Sequence, residues 1–298
     1  MRIRGRHLAY CTNIHPAETW EETRAMLARE PLAVRDELMA KGLLRSDEPW
    51  AIGLRLSAVA AAELADPAKT AAFADWLCAT NTYVFTINGF PYGGFHNSPV
   101  KTRAFAPDWS SPIRSEYTKR LFGILTRLPN LPDSCSVSTL PGSHKHFDTD
   151  SDAVVARLVA MAEWLEAMSD QCGRDLHLGL EPEPFGLFEN TTETIAFFNR
   201  LCNASRDPDL LRRRIGVNYD CCHFALQFED ACSSLDAFRD AGIRLSKIHI
   251  SNAISLDPRD PAALAAIRPF DEPVWSHQVV ASGPAGLARF ADLPEFVS

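Results

Sequence analysis

LHLGLEPEP (residues 176–184) and IGVNYDCCH (residues 215–223) are the stretches on which the fold turns. Each begins as an apolar, β-like run. Each ends in groups able to bind a metal or take up a proton: Glu181 and Glu183 in the first, Asp220 and His223 in the second. RLSKIHISN (residues 244–252) repeats the plan with His249, and SVSTLPGSHKH (residues 136–146) with His144 and His146. A helix-like segment follows at least the first two. Strands alternating with helices imply a parallel sheet, and about seven such units favour a closed (β/α)8 barrel over an open sheet. In a parallel barrel the C-terminal ends of all strands meet at one face, so carboxylates and imidazoles far apart in the chain form one site.

The same rhythm extends outward. Strands are expected over residues 7–14, 51–56, 83–88, 135–140, 176–181, 215–220 and 243–250. Helices are expected over 18–41, from the second strand to about 81, and over 113–128, 151–168, 191–202 and 229–241. Pro31 should break or kink the first helix. Asp150 or Ser151, and Asn190 or Thr191, can cap two others. Residues 89–112 hold seven Gly and Pro and form the longest irregular segment, a length usual for functional loops. An eighth strand comes from residues 278–281 or is absent. No composition shift marks a second domain, so residues 1–298 read as one barrel domain.

The 298-residue length suits that reading. Hydrophobic residues at 46% supply a full core. Lys+Arg 30 against Asp+Glu 38 leaves a net charge of −8, which argues against non-specific nucleic-acid binding. The eight cysteines form no CxxC pair and read as free thiols, which fits a reducing cytoplasm. No signal peptide and no membrane span are read.

The candidate residues carry specific chemistry beside ordinary alternatives. Glu181 and Glu183, stiffened by Pro182 and Pro184, suit a divalent cation or acid/base work, or cap a loop and pair with an arginine. Asp220 and His223 lie three apart, on one side if a helix starts after Asp220. Hard oxygen beside imidazole nitrogen suits zinc, manganese or cobalt; a solvated Asp and a core His are the ordinary reading. His249 sits between Ile248 and Ile250, so alternation turns it toward the lumen or the mouth. His144 and His146 follow a Pro141-Gly142 turn and suit metal, phosphate or water, a surface loop being preferred. His96, Lys101 and Arg103 lie in the long loop, where the cations suit an anionic substrate. No GxGxxG, P-loop, GxSxG or HExxH pattern occurs.

A Glu at one strand end, D-x-x-H at the next and His at the one after resemble the xylose isomerase-like TIM barrels, which include sugar phosphate isomerases and epimerases. YCTNIHPAETW (residues 10–20), TINGFPYGGFH (86–96), STLPGS (138–143), LEPEP (180–184) and KIHISNA (247–253) look like EboE, the TIM-barrel metabolite traffic proteins of the Ebo cluster. The resemblance implies a divalent metal (zinc, manganese or magnesium) held by Glu181, Asp220 and His249, with His223 nearby and a fourth Glu on a last strand. It implies a small metabolite as ligand, other Ebo-cluster proteins as partners, and a role in moving a precursor from cytoplasm to periplasm. Nothing like the expected Glu-rich segment follows Ser282, which leaves the metal site one carboxylate short and the barrel open at a seam.

Two functions follow as expectations. One is a metabolite-binding traffic protein. The other is a metal-dependent sugar or sugar phosphate isomerase or epimerase, with Glu183 or His223 moving the proton and His96, Lys101, His144 and His146 holding substrate. A metal-dependent nuclease of the same superfamily fits the acidic balance poorly.

Overall fold

The computed structural model describes residues 1–94, 101–272, 274 and 276–297. A short hairpin of β1 (Arg2–Ile3) and β2 (Arg6–His7) precedes the main sheet. That sheet has seven parallel strands in sequential order: β3 (Tyr10–Cys11), β4 (Trp50–Arg55), β5 (Thr82–Asn88), β6 (Ser134–Thr139), β7 (Asp175–Leu180), β8 (Ile215–Asp220) and β9 (Arg244–His249). Between them run α1 (Trp20–Ala40), α2 (Ala58–Leu64), α3 (Pro67–Ala79), α4 (Pro112–Leu125), α5 (Ser151–Cys172), α6 (Thr191–Ala204), α7 (Pro208–Arg214), α8 (Cys221–Leu226) and α9 (Ala231–Asp240).

Strand alternation makes the layers. In β6, β7 and β8 the residues Val137, Leu178, Leu180 and Val217 are fully buried under the helices. Each such side chain stabilises by about 1.5–3 kcal/mol. Their neighbours Ser136, Ser138, His177, Asn218 and Asp220 turn to the other face and make a polar lumen. The sheet curls into a half-barrel, because β9 side chains reach across to β6 and β7. Ser246 Oγ meets His177 Nδ1 at 2.6 Å, and Arg244 Nη2 donates to Ser134 Oγ at 3.1 Å.

A register shift between Val217 and Asn218 lets Ser246 bulge inward from β9. Two glycines make room for it. A Cβ on Gly216 would stand 2.5 Å from the Arg244 carbonyl oxygen, and one on Gly179 would stand 3.0 Å from Ser246 Oγ.

Among the described residues β3 and β9 are not paired, so the barrel is incomplete and carries the open seam expected from the sequence. Of the two alternatives for the eighth strand, the absent one holds among the described residues: β10 (Val279–Gly283) forms an antiparallel hairpin with β11 (Gly286–Phe290), outside the main sheet. Several other expectations need correction. α10 (Pro261–Ile267), which follows β9, buries none of its residues. The outward side chains of β9 are consequently bare: Leu245 is 41% and Ile248 46% exposed. Pro31 does not end α1. It is buried together with Trp20, Met26 and Leu27, and that packing outweighs the one backbone hydrogen bond a proline forfeits. A Thr19–Glu22 capping box starts the helix. The helix expected to run to residue 81 is split, because Asp66 caps α3 and Pro67 occupies its first turn. Asp150 and Asn190 do cap α5 and α6. All eight cysteines are free. No helix among the described residues is long and apolar enough to cross a membrane.

The lumen floor makes stability pH-dependent. Burial, then the neighbouring Arg244 charge, push the His177 pKa down to about 3. Between that value and the unfolded value near 6.5, the unfolded chain binds the proton and the native one does not, so stability falls as pH falls. Unfolding free energy should lose up to about 1.4 kcal/mol per pH unit from this group between pH 6.5 and 4.5. Denaturant titrations of His177→Gln should show a shallower slope there; an unchanged slope refutes the assignment. Gly216→Ala should destabilise by about 1–3 kcal/mol through its backbone clash, read from the urea midpoint.

Candidate functional site

Register decides which side chains meet. Asp220 is the pairing partner of His249, and Asn218 that of Lys247. β7 pairs with β8 through Leu180 and Val217, so the next residues, Glu181 and Asn218, also lie side by side. Asn218 Nδ2 donates to Glu181 Oε2 at 2.7 Å. The His249 ring stands between the two carboxylates, its Nδ1 3.2 Å from Asp220 Oδ2 and 3.4 Å from Glu181 Oε1. One donor atom each from Glu181, Asp220 and His249 lies within 4.8 Å of the others, and all three residues are enclosed. The cluster sits at the C-terminal ends of β7, β8 and β9, the face expected from the sequence.

The turn after β8 adds His223. Asp220 caps α8 by accepting from the Cys222 N–H at 3.0 Å, so the helix starts immediately and brings His223 back. Asp220, Cys222 and His223 form a second group of donor atoms within 4.8 Å. His223 Nδ1 lies 3.0 Å from the Pro182 carbonyl oxygen and 3.9 Å from Glu181 Oε1. Ser251 Oγ also donates to Asp220.

Electrostatics separates the three acids. Burial alone would raise the Asp220 pKa. The His223 charge and hydrogen bonds from His249, Ser251 and Cys222 outweigh it and hold that carboxyl well below the usual range. Glu183 is the opposite case: burial, then the negative charges of Glu181 and Asp220, raise its pKa well above the usual value. Burial and Lys247 pull His249 down, but Glu181 and Asp220 prevail and raise it.

The residues fit a divalent cation. Two carboxylates and an imidazole are a mixed oxygen–nitrogen donor set suited to such an ion. Three buried polar atoms in and beside the cluster find no hydrogen-bond partner: Asn218 Oδ1, His249 Nε2 and Glu183 Oε1. Buried polar atoms left unsatisfied are unfavourable, and a divalent ion with its ligands would complete them.

The remaining candidates go elsewhere. His144 is buried, against the surface-loop expectation, because Phe105, Phe147 and Phe185 pack around its ring. His146 is exposed and leans on His144 and Phe185. Lys101 pairs with Asp292 at 2.6 Å, and shares a small recess with Phe105, His144, Phe185 and Gln278. His96 lies outside the described residues.

Sequence reasoning missed Lys247 and Asn218, which line the lumen two residues before His249 and Asp220. Period-two alternation was the available signal. It also missed the clasp that holds the β10–β11 hairpin to the barrel loops. Arg289 Nε donates to the buried Glu189 at 3.0 Å, and Arg289 Nη2 to Gln227 at 2.8 Å. Gln278 Nε2 donates to the Pro184 carbonyl at 2.8 Å, beside the acids of LEPEP. Lys145 closes the Glu189 carboxylate from the other side.

No protein-family model and no curated protein matches the chain. Solved structures do. 3-Keto-D-glucoside 4-epimerase from E. coli in its apo form shares 13% identity over 93% of this chain and 94% of its own, with a TM-score of 0.47. The IOLI protein with a bound zinc atom shares 15% over 84% of each chain, TM-score 0.44. A D-tagatose 3-epimerase-like protein shares 12% over 83% and 85%, TM-score 0.47. Identities this low say nothing of substrate, and strand order and register, not the likeness, identify the incomplete barrel here.

The clasp predicts that Glu189→Gln will loosen the hairpin. Hydrogen exchange over residues 279–290 should accelerate at least tenfold while the strands of the main sheet keep their protection. Equal protection in both proteins would show the clasp to be dispensable.

Proposed function

We propose that this chain is a metal-dependent isomerase or epimerase acting on a small polyhydroxylated carbonyl compound. The observation that carries the reading is the convergence of Glu181, Asp220 and His249 within 4.8 Å at the strand ends. These three would hold a divalent ion, with zinc, manganese and magnesium as candidates. When bound, such an ion polarises neighbouring oxygens of a ligand as a Lewis acid.

The chain's own residues account for the proton. Isomerisation and epimerisation beside a carbonyl remove a proton from one carbon and return it to the same or the adjacent site. Glu183 suits that work, since burial and the negative charges of Glu181 and Asp220 raise its carboxyl well above the usual range and favour the form that has taken up a proton. His223, tethered to the Pro182 carbonyl beside Glu181, is the second proton carrier. Gln278, just before the hairpin, is tied to the Pro184 carbonyl at the end of the LEPEP loop. Lys101 and His144 at the outer recess, and His146 against the His144 ring, remain candidate substrate contacts.

The second reading is the carrier role implied by the Ebo resemblance: a barrel that binds a metabolite and hands it to partner proteins unchanged. The unpaired edges at β3 and β9 favour it, because the site stands beside an unclosed seam.

One experiment separates them. The purified protein, loaded with manganese or zinc, is incubated in D2O with a panel of aldoses, ketoses and their phosphates. Enzymatic proton exchange places deuterium beside the carbonyl, visible by NMR. Glu183→Gln should lower that rate about 10²–10⁴-fold with metal content unchanged. Asp220→Asn should lose both metal, measured by mass spectrometry of the dialysed protein, and exchange. Retention of a sugar without deuterium uptake supports the carrier, and exchange unaffected by Asp220→Asn rules out the proposed centre.

A further inference from the structure

Lys247 is the lumen group that the acids and imidazoles leave unexplained. It lies on β9, with Asn218 as its pairing partner, and its side chain crosses the lumen. Nζ donates to Ser138 Oγ at 3.0 Å. Ser138 in turn donates to Asn88 Oδ1 at 3.0 Å, so its hydroxyl proton is committed and it meets the lysine as acceptor only. An ammonium has three N–H groups, and Ser138 occupies one. Among the described residues no carboxylate lies within ion-pair distance of Nζ.

The nearby acids are already engaged. Glu181 is held by Asn218 and faces His249, and Asp220 is held by His249, Ser251 and the Cys222 N–H. A half-buried ammonium with N–H groups beyond the one on Ser138, and with no carboxylate at ion-pair distance, is incompletely partnered. An incoming anionic oxygen relieves both defects. Lys247 and His249 are alternate residues of one strand, about 7 Å apart along it, so one small molecule spans both.

We propose that Lys247 anchors a carboxylate of the substrate, which places the substrate among sugar acids and hydroxy acids rather than neutral sugars. The inference rests on the proposed centre being the reacting site. Lysine here is a substrate-binding and specificity group: its ammonium takes the carboxylate while Glu181, Asp220 and His249 take the reacting end. Ser138 positions the ammonium.

Gluconate and sorbitol are suitable probes, because they share a six-carbon polyol skeleton and differ at one end by the carboxylate. Each is titrated calorimetrically into the metal-loaded full chain, with metal content measured on the same samples. Gluconate should bind at least tenfold tighter than sorbitol. Lys247→Met should abolish that preference at unchanged metal content, and Lys247→Arg should keep part of it. Lys247→Gln is the second neutral variant should Lys247→Met prove unstable. Equal or absent binding of the two probes, or a preference that survives both neutral variants, overturns the assignment. A wild-type chain that holds no divalent ion instead overturns the proposed function itself, so the two failures are distinguishable.

Discussion

Parallel pairing of β7, β8 and β9 is the constraint from which the rest follows. It aligns Glu181 with Asn218, and Asp220 with His249, before any side-chain preference acts. The backbone ladder holds these strands less than 5 Å apart, so like charges are forced together unless something intervenes. The chain supplies that something locally: an amide from Asn218, a ring from His249, a hydroxyl from Ser251. Apolar residues on the opposite faces of the same strands bind the helices and make the alignment rigid.

The lumen is therefore polar from floor to rim, and each level solves the problem differently. At the floor, Asp175 is neutralised by Arg214 and Arg244, and His177 stays uncharged between Ser134 and Ser246. At mid-height, hydroxyls pair with hydroxyls, as Thr86 does with Ser136 at 2.8 Å. At the rim, acids, imidazoles and Lys247 gather with several bonding positions unfilled. A structure satisfied below and unsatisfied above has its binding capacity concentrated at one end.

Much of this was legible in the amino-acid order. Alternation in SCSVST, LHLGLE and IGVNYD separates an apolar face from a small or polar one, and the capping residues before α5 and α6 mark where helices begin. What stayed hidden depended on contacts between distant segments. Ser246 enters the lumen through a one-residue register shift, which no periodicity announces. His144 is buried by phenylalanines from three other loop positions. Residues 279–283 resemble a barrel strand in composition, yet they pair with residues 286–290 because a short turn offers a nearer partner than the sheet edge. Pro31 defied its local rule because its ring was worth more in the core than its missing N–H cost in the helix.

β9 has a neighbour on one side and solvent over its outer face, with Leu245 and Ile248 uncovered. Glu181 and His249 thus face each other from unequally restrained supports: one at the end of an interior strand, the other at the sheet's margin. Fraying begins at margins. A guest gripped between them would escape sideways as β9 peels, without the mouth having to open. Its residence time is then governed by the lifetime of a handful of ladder bonds, and covering that margin would slow departure without altering a single group that touches the guest.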